Sequence, residues 1–156
     1  MSRYQRFHLK VGADAEVDLR HAHQHCLGLL RATGANMLGL ALQDKSRLDR
    51  RIASVFGEDV VRNLDRDNRH ELRGLTIQLL TERIRVRRLA GPILVAFVEP
   101  DRVAHLADCV GVTGLVYLPA NEQQCRVYEG FHPESSRLET LCMEMRSTPL
   151  NGGDAL

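Results

Sequence analysis

Tryptophan is absent from this chain, and its seven aromatic residues make up only 4% of the 156 positions. A core with so few rings must be built mainly from Leu, Val, Ile and Ala. No apolar run approaches the roughly 20 residues that a membrane-spanning helix requires. The opening Met1-Ser2-Arg3-Tyr4-Gln5-Arg6 carries no apolar stretch of the secretory kind. Cysteine is sparse and scattered: Cys26, Cys109, Cys125 and Cys142 form no CxxC pair. Disulfide frameworks belong to shorter, secreted, loop-rich chains, so these read as free thiols in a reducing cytoplasm, two or more of them on buried helix faces. Lysine is nearly missing, with Lys10 and Lys45 set against nineteen arginines. That bias reads as GC-rich base composition and suggests a bacterial source.

The familiar phosphate and nucleophile motifs are missing too. The turn after the first candidate strand reads Val11-Gly12-Ala13-Asp14-Ala15 rather than GxGxxG, and no GxxxxGK[ST], GxSxG or HExxH occurs. No standard dinucleotide or P-loop site is expected, no cofactor is implied, and no metal site is assigned.

What is present is an ordinary globular composition, 44% hydrophobic and 26% charged, in a chain of single-domain length. Phe7, Leu9 and Val11 alternate with Arg6, His8 and Lys10, the period of a strand with one wet face. Leu19, Ala22, Cys26, Leu27 and Leu30 recur at helical spacing, with Asp18 as expected N-cap and Gly34 as stop. Met37–Leu42 is a continuous apolar run, as a buried strand would be. Ser46 with Asp49 resembles a capping box for a helix ended by Gly57. A short helix from Glu58 to about Leu64 and a charged connection, 65–70, come next. Leu75–Leu80 reads as a strand followed by an Arg-rich helical or turning connection, one long helix over 72–90 being the alternative. Ile93–Val98 and Gly114–Leu118 are buried strands, with a short helix holding Val103, Leu106, Ala107 and Val110 between them. A last strand is expected around Val127 and Tyr128, and a closing helix from Ser135 to Met145.

Strands alternating with helices imply an α/β fold with a mostly parallel sheet. The expectation is a single Rossmann-like three-layer domain over 1–146, with five or six strands and helices on both faces. Residues 147–156 read as a disordered tail.

Three constellations could carry chemistry. Asp18, His21 and His25 share a helix face, and His23 lies close by, but a solvated polar face accounts for them. Asp101, His105 and Cys109 form a second row at spacing of four, again better read as surface and core. The third rests on topology: ligands of open α/β sheets bind beyond the carboxyl ends of the strands. Asp44 and Lys45, Glu99 and Asp101, and Asn121 and Glu122 stand at those ends. Converging acids there could hold Mg²⁺ or Mn²⁺ or move protons.

Net charge is +1 but uneven, because residues 45–88 are basic and the rest is acidic. Arg83, Arg85, Arg87 and Arg88 could meet an anion, since arginine suits bidentate contacts with carboxylate or phosphate. Acidic residues interrupt that segment and only Phe56 could stack on a base, so nucleic acid is not expected as a partner.

No nucleophile, base and orienting group can be named together. The leading expectation is therefore a non-catalytic domain that binds a protein partner or a small anionic ligand, with homo-oligomer formation left open. The alternative is a metal-assisted enzyme acting on phosphate esters or nucleotides through Asp44, Glu99 and Asp101.

Overall fold

The computed structural model describes residues 4–12 and 14–138. After a first strand, β1 (Gln5–His8), Asp14 opens helix α1 (Ala15–Thr33) by accepting hydrogen bonds from the Glu16 and Val17 N–H groups. Those donors have no partner inside the helix, and an Asp at this position satisfies them. Asp18 is therefore not the cap. It lies one turn further on and accepts from the Gly12 N–H at 2.8 Å. The apolar stripe begins only at Leu19, so periodicity places the helix start too late. Gly34 closes α1 in the left-handed region, φ 70°, where glycine carries no steric penalty.

Strand β2 (Met37–Ala41) leads to a 3₁₀ turn, Lys45–Arg47, capped by Asp44. Asp49 itself, rather than Ser46, caps α2 (Arg50–Phe56), and Gly57 at φ 106° separates α2 from α3 (Glu58–Asp67). The helix thus continues three residues beyond Leu64, through part of the expected charged connection. It runs into β3 (Arg69–Leu72), which pairs antiparallel with β4 (Leu75–Leu80). Arg73 and Gly74 both have positive φ, the backbone of a tight hairpin turn whose twist suits the strands it joins. The strand reading of 75–80 prevails over the single long helix.

The Arg-rich segment that follows is a turning connection and not a helix. A hydrogen-bonded turn at Thr81–Ile84 leads through irregular chain into β5 (Arg88–Ala96). Helix α4 (Pro100–Leu106) is shorter than its pattern implied, because Val110 already belongs to β6 (Val110–Leu118). Val127 and Tyr128 lie in α5 (Glu122–Phe131), not in a strand. Their side chains favour strands, but Asn121 caps the segment, and Gln124, Cys125 and Tyr128 share one buried helical face. The last described strand is β7 (Ser136–Arg137), so no helix begins at Ser135. The rest of the expected closing helix, Cys142 and the tail at 147–156 fall outside the described residues.

The sheet order is β3-β4-β2-β5-β6-β1-β7, and every neighbouring pair except β3 with β4 is parallel. The short strands β3 and β7 raise the count to seven, above the five or six expected. Strand β1 sits between β6 and β7 rather than beside β2, so the order is not that of the doubly wound dinucleotide-binding fold.

Period-two alternation sends successive residues of each strand to opposite faces, and both faces are covered. On one, Leu38, Leu40, Leu94, Ala96, Val116 and Leu118 pack with Leu19, Ala22, Cys26, Ile52 and Leu64 from α1, α2 and α3. On the other, Ile93, Val95, Leu115 and Tyr117 pack with Val103, Leu106 and Tyr128 from α4 and α5. Rings are few, yet Tyr117 and Tyr128 stack at 4.3 Å in this second core. The helix-free crossover from β4 to β5 fits because Gly39 leaves room for Leu89, which a Cβ would meet at 2.8 Å. Among the described residues no helix is long and apolar enough to cross a membrane.

Candidate functional site

Because the long strands are parallel, their carboxyl ends share one rim, and two clefts open along it. The larger, about 600 Å³, lies beyond β2 and β4 and is lined by Gln43, Asp44, Lys45, Ser46, Asn68, Thr81, Glu82, Arg83 and Ile84. The smaller, about 300 Å³, lies beyond β5 and β6 and is lined by Glu99, Pro100, Asp101, Asn121, Gln123, Gln124, Val127 and Phe131. Asp44 and Lys45 therefore belong to one cleft, and Glu99, Asp101 and Asn121 to the other. Glu122 lines neither; it sits in the first turn of α5. Strands β2 and β5 are neighbours, but the chain leaves β2 toward α2 on one face and leaves β5 toward α4 on the other. That divergence keeps the acids apart.

Local structure fixes the larger cleft. Asp44 accepts from the Ser46 N–H at 2.9 Å and from the Ser46 hydroxyl. Both bonds hold its carboxyl below the ordinary range, so it stays ionised at neutral pH. On the opposite wall the Thr81 hydroxyl accepts from the Arg83 and Ile84 N–H groups at 3.2 and 3.1 Å. This local turn turns Ile84 inward against the first core and leaves Arg83 exposed. The two acids of the cleft are already engaged, Asp44 by Ser46 and Glu82 by an ion pair with Arg102. Lys45 donates to the Asp65 carbonyl at 2.5 Å, a neutral acceptor.

The other arginines of the row do not join Arg83 in one patch. Arg85 contacts the His105 ring, with Nη1 2.6 Å from Nε2. The Arg87 carbonyl accepts from the Val110 N–H, and Arg88 opens β5. The row of Asp101, His105 and Cys109 is broken, since α4 ends at Leu106. The histidines of α1 are half-buried rather than solvated. His23 packs edge-on against Phe56 and His25 against Phe7, each at 4.5 Å, and burial lowers the pKa of both.

Sequence reasoning missed a further constellation. Arg6 and His8 were expected on a wet strand face, yet α5 and β7 cover them, and His8 is 3% exposed. His8 Nε2 lies 2.8 Å from Glu129 Oε2, and its Nδ1 lies 2.7 Å from the Ser135 hydroxyl. Arg137 also donates to Glu129, at 2.6 and 3.2 Å. Cys125, one helical turn before Glu129, is buried beside them. The available signal was the spacing of Cys125 and Glu129, four apart on one helix face.

Comparison with known proteins finds no family model, no curated relative and no solved structure that matches this chain.

Proposed function

We propose that the domain binds a small anionic ligand in the cleft beyond β2 and β4, with Arg83 and Lys45 as the charged contacts. The observation that carries this reading is the charge balance of the cleft. Its acids have intramolecular partners, while among the described residues neither Arg83 nor Lys45 has a carboxylate partner. An unpaired guanidinium and an ammonium beside the side-chain amides of Gln43 and Asn68 suit phosphate or carboxylate oxygens. The position agrees with the general rule for open α/β sheets. The metal-assisted alternative has less support, because Asp44 stands in a different cleft from Glu99 and Asp101.

Pyrophosphate and inorganic phosphate are the first probes, compared with chloride at constant ionic strength. A ligand that binds only the folded state raises its melting temperature. The expected result is a rise with pyrophosphate that saturates. Arg83→Ala should weaken its affinity roughly ten- to hundredfold, the loss of one charge-assisted hydrogen bond. No rise in the wild type, or wild-type affinity in both Arg83→Ala and Lys45→Ala, would remove the basis for the reading.

A further inference from the structure

We infer that His8, Cys125 and Glu129 form a binding site for a zinc-class divalent cation, separate from the anion cleft. Their ligand atoms, the His8 imidazole nitrogen, Cys125 Sγ and a Glu129 carboxylate oxygen, all lie within 4.8 Å of one another. His8 Nε2 and Glu129 Oε2 are the close pair, at 2.8 Å. Tetrahedral zinc, with bonds of about 2.0–2.3 Å, sets its ligands about 3.3–3.8 Å apart. The close pair needs to open by about half an ångström and no other separation exceeds 4.8 Å, so small side-chain adjustments suffice. The donor set is one imidazole, one sulfur and one carboxylate, the mixture zinc accepts and magnesium or calcium does not. Three protein ligands leave a fourth position for water or another small ligand.

The groups around the cluster strengthen the inference. A ligating histidine almost always has its second ring nitrogen hydrogen-bonded, and a ligating carboxylate is usually hydrogen-bonded in turn. Both contacts exist here: the Ser135 hydroxyl sits on His8 Nδ1, and Arg137 donates to Glu129. With Nδ1 engaged by Ser135, Nε2 is the nitrogen that faces Glu129 and is left for the metal. Charge agrees as well. Once Cys125 gives up its proton, its thiolate and the Glu129 carboxylate outnumber Arg137 in a largely buried place, and a divalent cation offsets that charge. Binding exchanges the Cys125 thiol proton, released to solvent, for a metal–sulfur bond, and the ion replaces the direct His8–Glu129 contact.

Cobalt(II) titration of the reduced, full-length protein tests this, because thiolate ligation gives a near-ultraviolet charge-transfer band and tetrahedral geometry gives strong visible bands. The expected result is one equivalent of cobalt with both features, displaced by zinc. Cys125→Ser should abolish the charge-transfer band, whereas Cys26→Ser and Cys109→Ser should retain it. Ser135→Ala should weaken metal affinity about 10- to 100-fold, as removal of such supporting contacts does elsewhere. X-ray absorption of the zinc-loaded wild type needs no variant, and it should find one sulfur at about 2.3 Å with nitrogen and oxygen neighbours at about 2.0–2.2 Å. A sulfur-free metal shell, a charge-transfer band that survives Cys125→Ser, or no stoichiometric binding would overturn the proposal.

Discussion

Replacing Gly91 with alanine should destabilise the fold far more than one methyl group ordinarily does. A Cβ built on Gly91 overlaps the Met37 carbonyl oxygen and lies 2.8 Å from its carbonyl carbon. The obstruction is main chain, so no rotamer change can relieve it. Strand β5 would have to move away from β2, loosening the register that pairs Gly39 with Ile93, Leu40 with Leu94 and Ala41 with Val95. Those residues stand in the middle of the sheet and contribute to both cores. Overpacking a well-filled site costs about 1–3 kcal/mol, and a clash with fixed backbone belongs above that, at about 4 kcal/mol. In a domain of this length that lowers the melting temperature by roughly 8–16 °C. Gly28→Ala is the matched control. Gly28 lies in α1, is exposed, and a Cβ there meets nothing within 4 Å. It should stabilise by about 0.5–1 kcal/mol, the helix preference of alanine over glycine. Urea denaturation of the three proteins reads both effects. A Gly91→Ala midpoint close to the wild type would mean that β2 and β5 do not approach as described.

Three further predictions concern single groups. His23, His25 and His132 all have lowered pKa values, burial being the largest cause in each. The unfolded chain then binds more protons than the native one below about pH 6.5, so stability should fall from about pH 7.5 to pH 5.5. A urea midpoint series should show that slope flattened in the His23→Gln, His25→Gln double variant, and an unchanged slope would contradict it. Asp49→Ala removes the hydrogen bonds to the Arg51 and Ile52 N–H groups at the start of α2, and calorimetry should record a loss of about 1 kcal/mol. Tyr117→Phe deletes the hydroxyl that donates to the Val98 carbonyl at 2.6 Å. The buried acceptor left behind should lower stability by about 1–3 kcal/mol in denaturant titration; a loss well below that would mean water replaces the hydroxyl.

Some of this architecture could be read directly from the chain. Met37–Leu42, Ile93–Val98 and Gly114–Leu118 are continuous apolar runs, and each holds a strand buried on both faces. Gly34 and Gly57 end helices where their positions imply. The rim residues Asp44 and Glu99 do follow strand ends, because β2 and β5 are parallel. Which of them share a cleft could not be read, since that depends on the face toward which each connection leaves the sheet. The hidden polar cluster was lost for a related reason. Alternation of Arg6, His8 and Lys10 with apolar residues signals one polar face, but it does not say whether water or α5 covers that face. Reading Val127 and Tyr128 as a strand keeps Cys125 and Glu129 on one face but sets them roughly 13 Å apart, whereas on α5 they are one turn apart and close enough to act together.

The anion cleft is tested most directly by nitrogen–proton correlation spectra of the labelled protein during a pyrophosphate titration. Saturable shifts should be concentrated in the amides of residues 43–46 and 81–84, with Asn68, and in Arg83→Ala should need roughly ten- to hundredfold more pyrophosphate to develop. Shifts centred on the cleft lined by Glu99 and Asp101, or spread over the surface without saturation, would contradict the assignment.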